Sequence, residues 1–145
     1  EYSVDVLATG DDVPIVIPRS RSRTRAGISF EGTVEERADL VREATDICRG
    51  LSVEYNLNLQ FKYDADGVAK MIEINPRVSG TIVMCVGAGA NLPYLGVKHA
   101  LGEQLPDVDV AWGTRMVRHW DELFYAPDGE TFRVASDGSG PWSVV

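Results

Sequence analysis

Two apolar-rich runs around an Asp/Gly turn give the clearest pattern in the chain. Residues 57–63 alternate apolar and polar, Asp64-Ala65-Asp66-Gly67 is turn chemistry, and residues 68–75 resume a strand-like run. Such a stretch predicts an antiparallel hairpin. With Ala65 and Asp66 as the loop, Tyr63 sits opposite Val68. Leu57, Leu59, Phe61, Tyr63, Val68, Ile72 and Ile74 then share a core face that only Lys70 interrupts. Asn58, Gln60, Lys62, Met71, Glu73 and Asn75 share the other face. Gln60 falls opposite Met71 and diagonal to Glu73, within cross-strand reach.

Other elements follow from the same reading. Tyr2, Val4, Val6 and Ala8 alternate with Ser3 and Asp5, Gly10-Asp11-Asp12 turns the chain, and residues 13–17 form a second strand. Residues 33–51 predict a helix: Thr33 and Glu36 form a capping box, Val34, Ala38, Val41, Ala44 and Cys48 form one stripe, and Gly50 marks its end. Residues 79–89 predict a short buried helix. Asn91 caps a further one, with Pro93 in its first turn, Gly102 beyond its end, and Leu92, Leu95 and Ala100 packing. Residues 115–120 and 123–126 read as two short strands or one long one, 127–130 as a turn and 131–134 as the return strand. The expected fold class is α+β, a mostly antiparallel sheet with two to three helices packed on one face. One domain over residues 1–134 is expected, with a β appendage from about 106 and a mobile tail over 135–145.

Composition narrows the function. The chain has 145 residues, a net charge of −8, and three Lys against eleven Arg. That balance argues against a general nucleic-acid binder, and no partner of that kind is expected. Cys48 and Cys85 fall in apolar helical patterns, so no disulfide framework is implied and a reducing cytoplasm is expected. No membrane-length apolar run is present, so no membrane partner is expected. The chain has no initiator Met and begins inside a strand pattern, which suggests a piece of a longer polypeptide. Arg19, Arg21, Arg23 and Arg25 alternate with small polar residues and would line one face of an extended segment. That strip is open to three readings: a solvated edge strand, an anion-facing strip, or an RNA-binding segment.

The polar hairpin face carries the candidate chemistry. Gln60, Glu73 and Asn75 offer a carboxylate and two amides, an oxygen donor set suited to Mg²⁺ (or Mn²⁺). On residue pattern alone the default is the half-exposed polar face of an antiparallel pair, with metal binding the alternative. Arg77 follows on the same alternation, where its guanidinium can meet a phosphate or acyl phosphate. His99 and His119 belong to no catalytic pattern.

Glu73-Ile74-Asn75-Pro76-Arg77-Val78-Ser79 resembles the Glu-x-Asn-Pro-Arg signature of ATP-grasp enzymes, most closely the carbamoyl phosphate synthase large-chain branch. Residues 58–61, the hairpin, and Gly89-Ala90-Asn91-Leu92-Pro93 are similar in order and spacing, and the resemblance runs from Glu1 to about Leu105. It implies the C-terminal lobe of an ATP-grasp fold, with ATP and Mg²⁺ as cofactors and a small carboxylate as substrate. Gln60, Glu73 and Asn75 match metal ligands, Arg77 matches the arginine on the transferring phosphoryl group, and Glu1 matches an acidic residue that binds the ribose hydroxyls. The implied chemistry forms an acyl phosphate that an amine or ammonia attacks. A second lobe, on the same polypeptide or a partner subunit, would complete the cleft, and the isolated chain would be inactive. The alternative is a non-catalytic nucleotide-binding or interaction domain that retains the fold. Where the carbamoyl phosphate synthase branch has a His-Thr-Gly stretch, this chain has Ile28-Ser29-Phe30-Glu31-Gly32, a departure that bears on the substrate.

Overall fold

The computed structural model describes residues 1–25, 28–119 and 122–133. In chain order the elements are β1 (Tyr2–Thr9), β2 (Ile15–Ser20), β3 (Arg23–Arg25), β4 (Ile28–Thr33), α1 (Ala38–Gly50), β5 (Glu54–Tyr63), β6 (Ala69–Asn75), α2 (Val83–Gly87), α3 (Leu92–Ala100), β7 (Arg115–Val117), β8 (Phe124–Tyr125) and β9 (Thr131–Phe132). They form an antiparallel four-stranded sheet in the order β2-β1-β5-β6, a three-stranded sheet β3-β4-β7, and the hairpin β8-β9.

The α+β class expected from the sequence is observed, but the helices divide between the two faces of the main sheet. β1 is buried on both faces, and its alternation directs the split. Val4, Val6 and Ala8 pack with Leu57, Leu59 and Phe61 against Leu40, Ala44 and Cys48 of α1. Leu7, Ile15 and Ile17 pack on the opposite face against Met84 and Cys85 of α2 and Leu92 and Leu95 of α3. Both cysteines are buried in these cores, as expected. The Asn91 cap is also observed: its Oδ1 accepts from the Tyr94 amide at 3.2 Å. Ala100 is exposed rather than packed.

The capping box does not form. Thr33 remains in β4, paired with Arg115, and its amide donates to Ser20 Oγ at 3.1 Å. Helix α1 starts at Ala38 with no side-chain cap, because sheet pairing claims Thr33 first. Gly32 joins the two sheets. A Cβ there would lie 2.2 Å from the Ser20 carbonyl oxygen, so only glycine permits the approach.

The central hairpin forms with a different register. Tyr63 pairs with Ala69, Lys62 with Lys70 and Phe61 with Met71. The loop is one residue longer than expected because Asp64 Oδ1 accepts from the amides of Asp66 and Val68 (3.1 and 2.8 Å), with Gly67 at φ +76°. A shift between Gln60 and Phe61 then places Gln60 opposite Glu73 and leaves Ile72 as the extra residue of a β-bulge. The bulge restores the expected face for Glu73 and Asn75, while Met71 and Lys70 exchange faces. Val68, Ile72 and Ile74, expected in the core, are exposed. β6 is the sheet's edge strand, while α1 packs on β1 and β2 and α3 on β1 and β5. The expected tail over 135–145 lies outside the described residues.

Candidate functional site

Two rungs of side chains cross the main sheet on its α2/α3 face. One runs Arg19–Ser3–Gln60–Glu73 and the next runs Ile17–Asp5–Asn58–Asn75, each residue paired with its neighbour across the strands. The apolar end of this face lies under α2 and α3. The polar end opens into a cleft of about 330 Å³ lined by Ser3, Arg21, Ile28, Ser29, Asn58, Gln60, Arg77, Ser79, Gly80 and Thr81. No carboxylate is among these.

The structure brings the sequence-derived residues to this one end. Gln60 and Glu73 face each other across β5 and β6, and Asn75 lies two residues beyond Glu73. Arg77 donates to Asn75 Oδ1 at 3.2 Å and to the Val78 carbonyl at 3.0 Å. Asn75 Nδ2 is buried without a partner. Glu1 pairs with Arg21 and lies 3.9 Å from Lys62 Nζ. Arg21 links Glu1 to the rest, donating also to Gln60 Oε1 at 3.1 Å and to Ser29 Oγ at 3.0 Å.

Sequence reasoning missed the network beneath these groups. Arg19 and Asp5 are both completely buried and pair at 2.5 Å. The guanidinium also donates to Thr81 Oγ1 at 2.8 Å and Ser79 Oγ at 2.7 Å, so β2 tethers the loop that follows β6. Asn58 Nδ2 donates to Asp5 Oδ1 and Ser3 Oγ, both at 2.9 Å, and the Cys85 thiol approaches Asp5 Oδ2 at 3.3 Å. Burial, and then the Asp5 carboxylate, push the Cys85 thiol pKa well up, which keeps it protonated. The arginines therefore do not share one face. Arg19 is interior, Arg21 reaches the cleft, and Arg23 and Arg25 lie exposed on β3 of the second sheet. The available signal was an acid and a base, Asp5 and Arg19, in two neighbouring strand patterns joined by a short turn, where they can pair.

This wiring sets the polarity of the cleft. Ser79 and Thr81 accept from Arg19, Ser29 accepts from Arg21, and Ser3 accepts from Asn58. Each hydroxyl keeps its own hydrogen to donate. With Arg77 also lining it, the cleft is suited to oxyanions.

A lobe of this topology with this strand-end constellation is an ATP-grasp lobe. Residues 1–121 match the family described as ATP-grasp in the biosynthetic pathway with Ter operon, and the chain belongs to that family. No curated protein matches it significantly in sequence. Among solved structures it is similar to the biotin carboxylase domain of a single-chain bacterial carboxylase, with TM-score 0.62 and 18% identity, covering 71% of this chain and 26% of that one. It is also similar to a biotin carboxylase–β,γ-ATP complex from Campylobacter jejuni, with TM-score 0.60 and 20% identity, covering 75% and 27%. A third is an ADP complex of N5-carboxyaminoimidazole ribonucleotide synthetase, with TM-score 0.60 and 15% identity, covering 76% and 31%. At these identities the likeness is one of fold. The chain spans about a quarter of the length of the two biotin carboxylase structures. No helix among the described residues is long and apolar enough to cross a membrane.

Proposed function

We propose that the chain is the metal- and nucleotide-binding lobe of an ATP-dependent ligase that activates a carboxylate as an acyl phosphate for attack by an amine or ammonia. The observation that carries this is the Gln60–Glu73 rung with Asn75 beside it, next to the cleft that Gln60 and Arg77 line. Its motif order is nearest the carbamoyl phosphate synthase large-chain branch.

The donors fit a hard cation. Among the described residues no three His, Cys, Asp or Glu side chains gather at one point, so a soft or all-carboxylate site is not built here. One carboxylate and two amide oxygens match Mg²⁺, whose shell is completed by phosphate oxygens and water. Bound Mg²⁺ neutralises phosphate charge and holds the reacting group in line. Glu73 supplies the negative ligand and Gln60 and Asn75 the neutral ones. Glu1 meets the ribose hydroxyls. Arg21 and Arg77 hold the oxygens of Gln60 and Asn75 and would be released to phosphate oxygens if those amides held the cation. The substrate carboxylate oxygen attacks the γ-phosphorus and the bond to ADP breaks. Arg77 and the Ser79 and Thr81 hydroxyls stabilise charge on the transferring group. The amine nitrogen then attacks the acyl carbon, and phosphate leaves. A second lobe closes the cleft from the other side.

Glu73→Gln in the full-length protein tests the assignment. Magnesium-dependent ATP turnover is expected to fall on the order of 10²–10³-fold, the size of losing one charge-stabilising contact. An unchanged rate removes Glu73 from the metal site. A full-length protein with no turnover to lose supports the alternative of a retained fold without chemistry.

A further inference from the structure

Half of the arginine run is unused by this mechanism. Arg23 and Arg25 lie on β3, and beside them the end of β7 delivers Val117, Arg118 and His119. Together with Phe30 these wall a cavity of about 640 Å³, a size typical of small-molecule pockets. None of the described residues lining it is acidic, in a chain of net charge −8. Among the described residues neither Arg25 nor Arg118 is ion-paired. Arg118 reaches only the Gly80 carbonyl, at 3.5 Å. Arg23 lies opposite Glu31 across the strands, and the ion pair of that acid is with Arg115. Phe30, the extra residue where the β3–β4 register shifts, is 8% exposed and supplies an apolar floor. Val117, 52% exposed, supplies an apolar wall.

The cavity adjoins the cleft. Ser29 lines one and Phe30 the other, and the Gly80 contacted by Arg118 lines the cleft. We infer that this cavity binds a small anionic molecule with an apolar body, its carboxylate or phosphate on Arg25 and Arg118 and its body over Phe30 and Val117. Guanidinium forks match such oxyanions in two-point contacts, and unpaired cations above an apolar floor select amphiphilic anions over neutral compounds. Its place beside the cleft makes it the pocket for a second anionic group of the ligase's non-nucleotide substrate, whose reacting carboxylate the cleft takes, a role that rests on the function proposed above.

The test titrates the chain with benzoate, benzyl alcohol and inorganic phosphate, followed by two-dimensional amide NMR. Arg25→Gln and Arg118→Gln are titrated in parallel, and Mg²⁺ with ADP is titrated on the full-length protein. Saturable benzoate shifts are expected at Arg25, Phe30, Val117 and Arg118. Each variant should weaken them about tenfold, the effect of one hydrogen bond to a charged group. Phosphate should shift the same arginines more weakly, and benzyl alcohol should not saturate. Benzoate shifts centred on Arg21, Arg77 and Ser79, equal affinity in both variants, or equal binding of benzyl alcohol overturns the inference. If Mg²⁺–ADP still shifts Gln60, Glu73 and Asn75 in that event, the ligase reading stands. Benzoate in the cavity with Mg²⁺–ADP silent overturns the substrate role together with the ligase reading.

Discussion

Two arginine–carboxylate pairs sit two residues apart at one end of the main sheet, and burial makes them opposites. Asp5 and Arg19 are wholly buried, whereas the side chains of Glu1 and Arg21 keep 28% and 8% of their exposure. Every donor direction of Arg19 ends on a protein group that is itself buried: Asp5, Ser79 and Thr81. Arg21 ends on Glu1, Gln60 and Ser29 at the cleft wall, groups that an incoming oxyanion can replace. The first arginine fixes the loop that carries Arg77. The second can change partners. A charge becomes structural when its desolvation is offset by fixed partners, and functional when its partners are exchangeable.

The largest effect should come from breaking the buried pair. Arg19→Met leaves Asp5 charged and unpaired in the interior and should cost about 3–5 kcal/mol in urea unfolding. Arg21→Met, at the cleft wall, leaves Glu1 partly open to water and should cost less, about 1–3 kcal/mol. Asp5→Asn combined with Arg19→Met should cost less than Arg19→Met alone, since no charge is then stranded. Equal losses for Arg19→Met and Arg21→Met would erase the distinction. A smaller change keeps Arg19 and removes one acceptor. Thr81→Val preserves shape but leaves Nη1 without a partner, at about 1–3 kcal/mol. Amide exchange in residues 76–82 should quicken more than elsewhere. Uniform quickening would mean that Arg19 does not hold this loop in particular.

The sequence reveals the site better than its foundations. Glu73, Asn75 and Arg77 were legible because alternation and Pro76 assign them to one strand end whatever the loop length. The register was not, since Asp64 lengthened the turn by one residue and the Ile72 bulge cancelled the slip at Glu73. Alternation alone carries no information about either. Arg19 was read with Arg21, Arg23 and Arg25 because the spacing continues unbroken, but the chain leaves the main sheet after Ser20 and enters the second at Arg23. Alternation assigns Asp5 only to the face opposite Val4 and Val6, and its partner Arg19 comes from β2. The exposed apolar residues of β6 show the same limit, since which strand lies at the edge is a property of the whole sheet.

A third arginine, on the α1 face, is the most exposed of the three, its side chain 35% open to solvent. Arg37 lies over the rings of Tyr2 and Tyr63, at 5.2 and 4.9 Å, and donates to both carboxylate oxygens of Asp39 at 3.2 Å. Arg37, and then the Tyr63 hydroxyl, hold the Asp39 carboxyl at about 2, below its ordinary 3.8. A carboxyl lowered in the folded state contributes stability that is present above the unfolded value and lost as pH falls through the folded one. The window is therefore from about pH 4 down to about pH 2. The Asp39 side chain is 41% exposed, so solvent screening keeps the effect below that of either cleft arginine. Thermal unfolding midpoints of the wild type and Asp39→Asn should differ most above pH 4 and converge towards pH 2. Parallel curves across that window would show that Arg37 is held by its tyrosines alone.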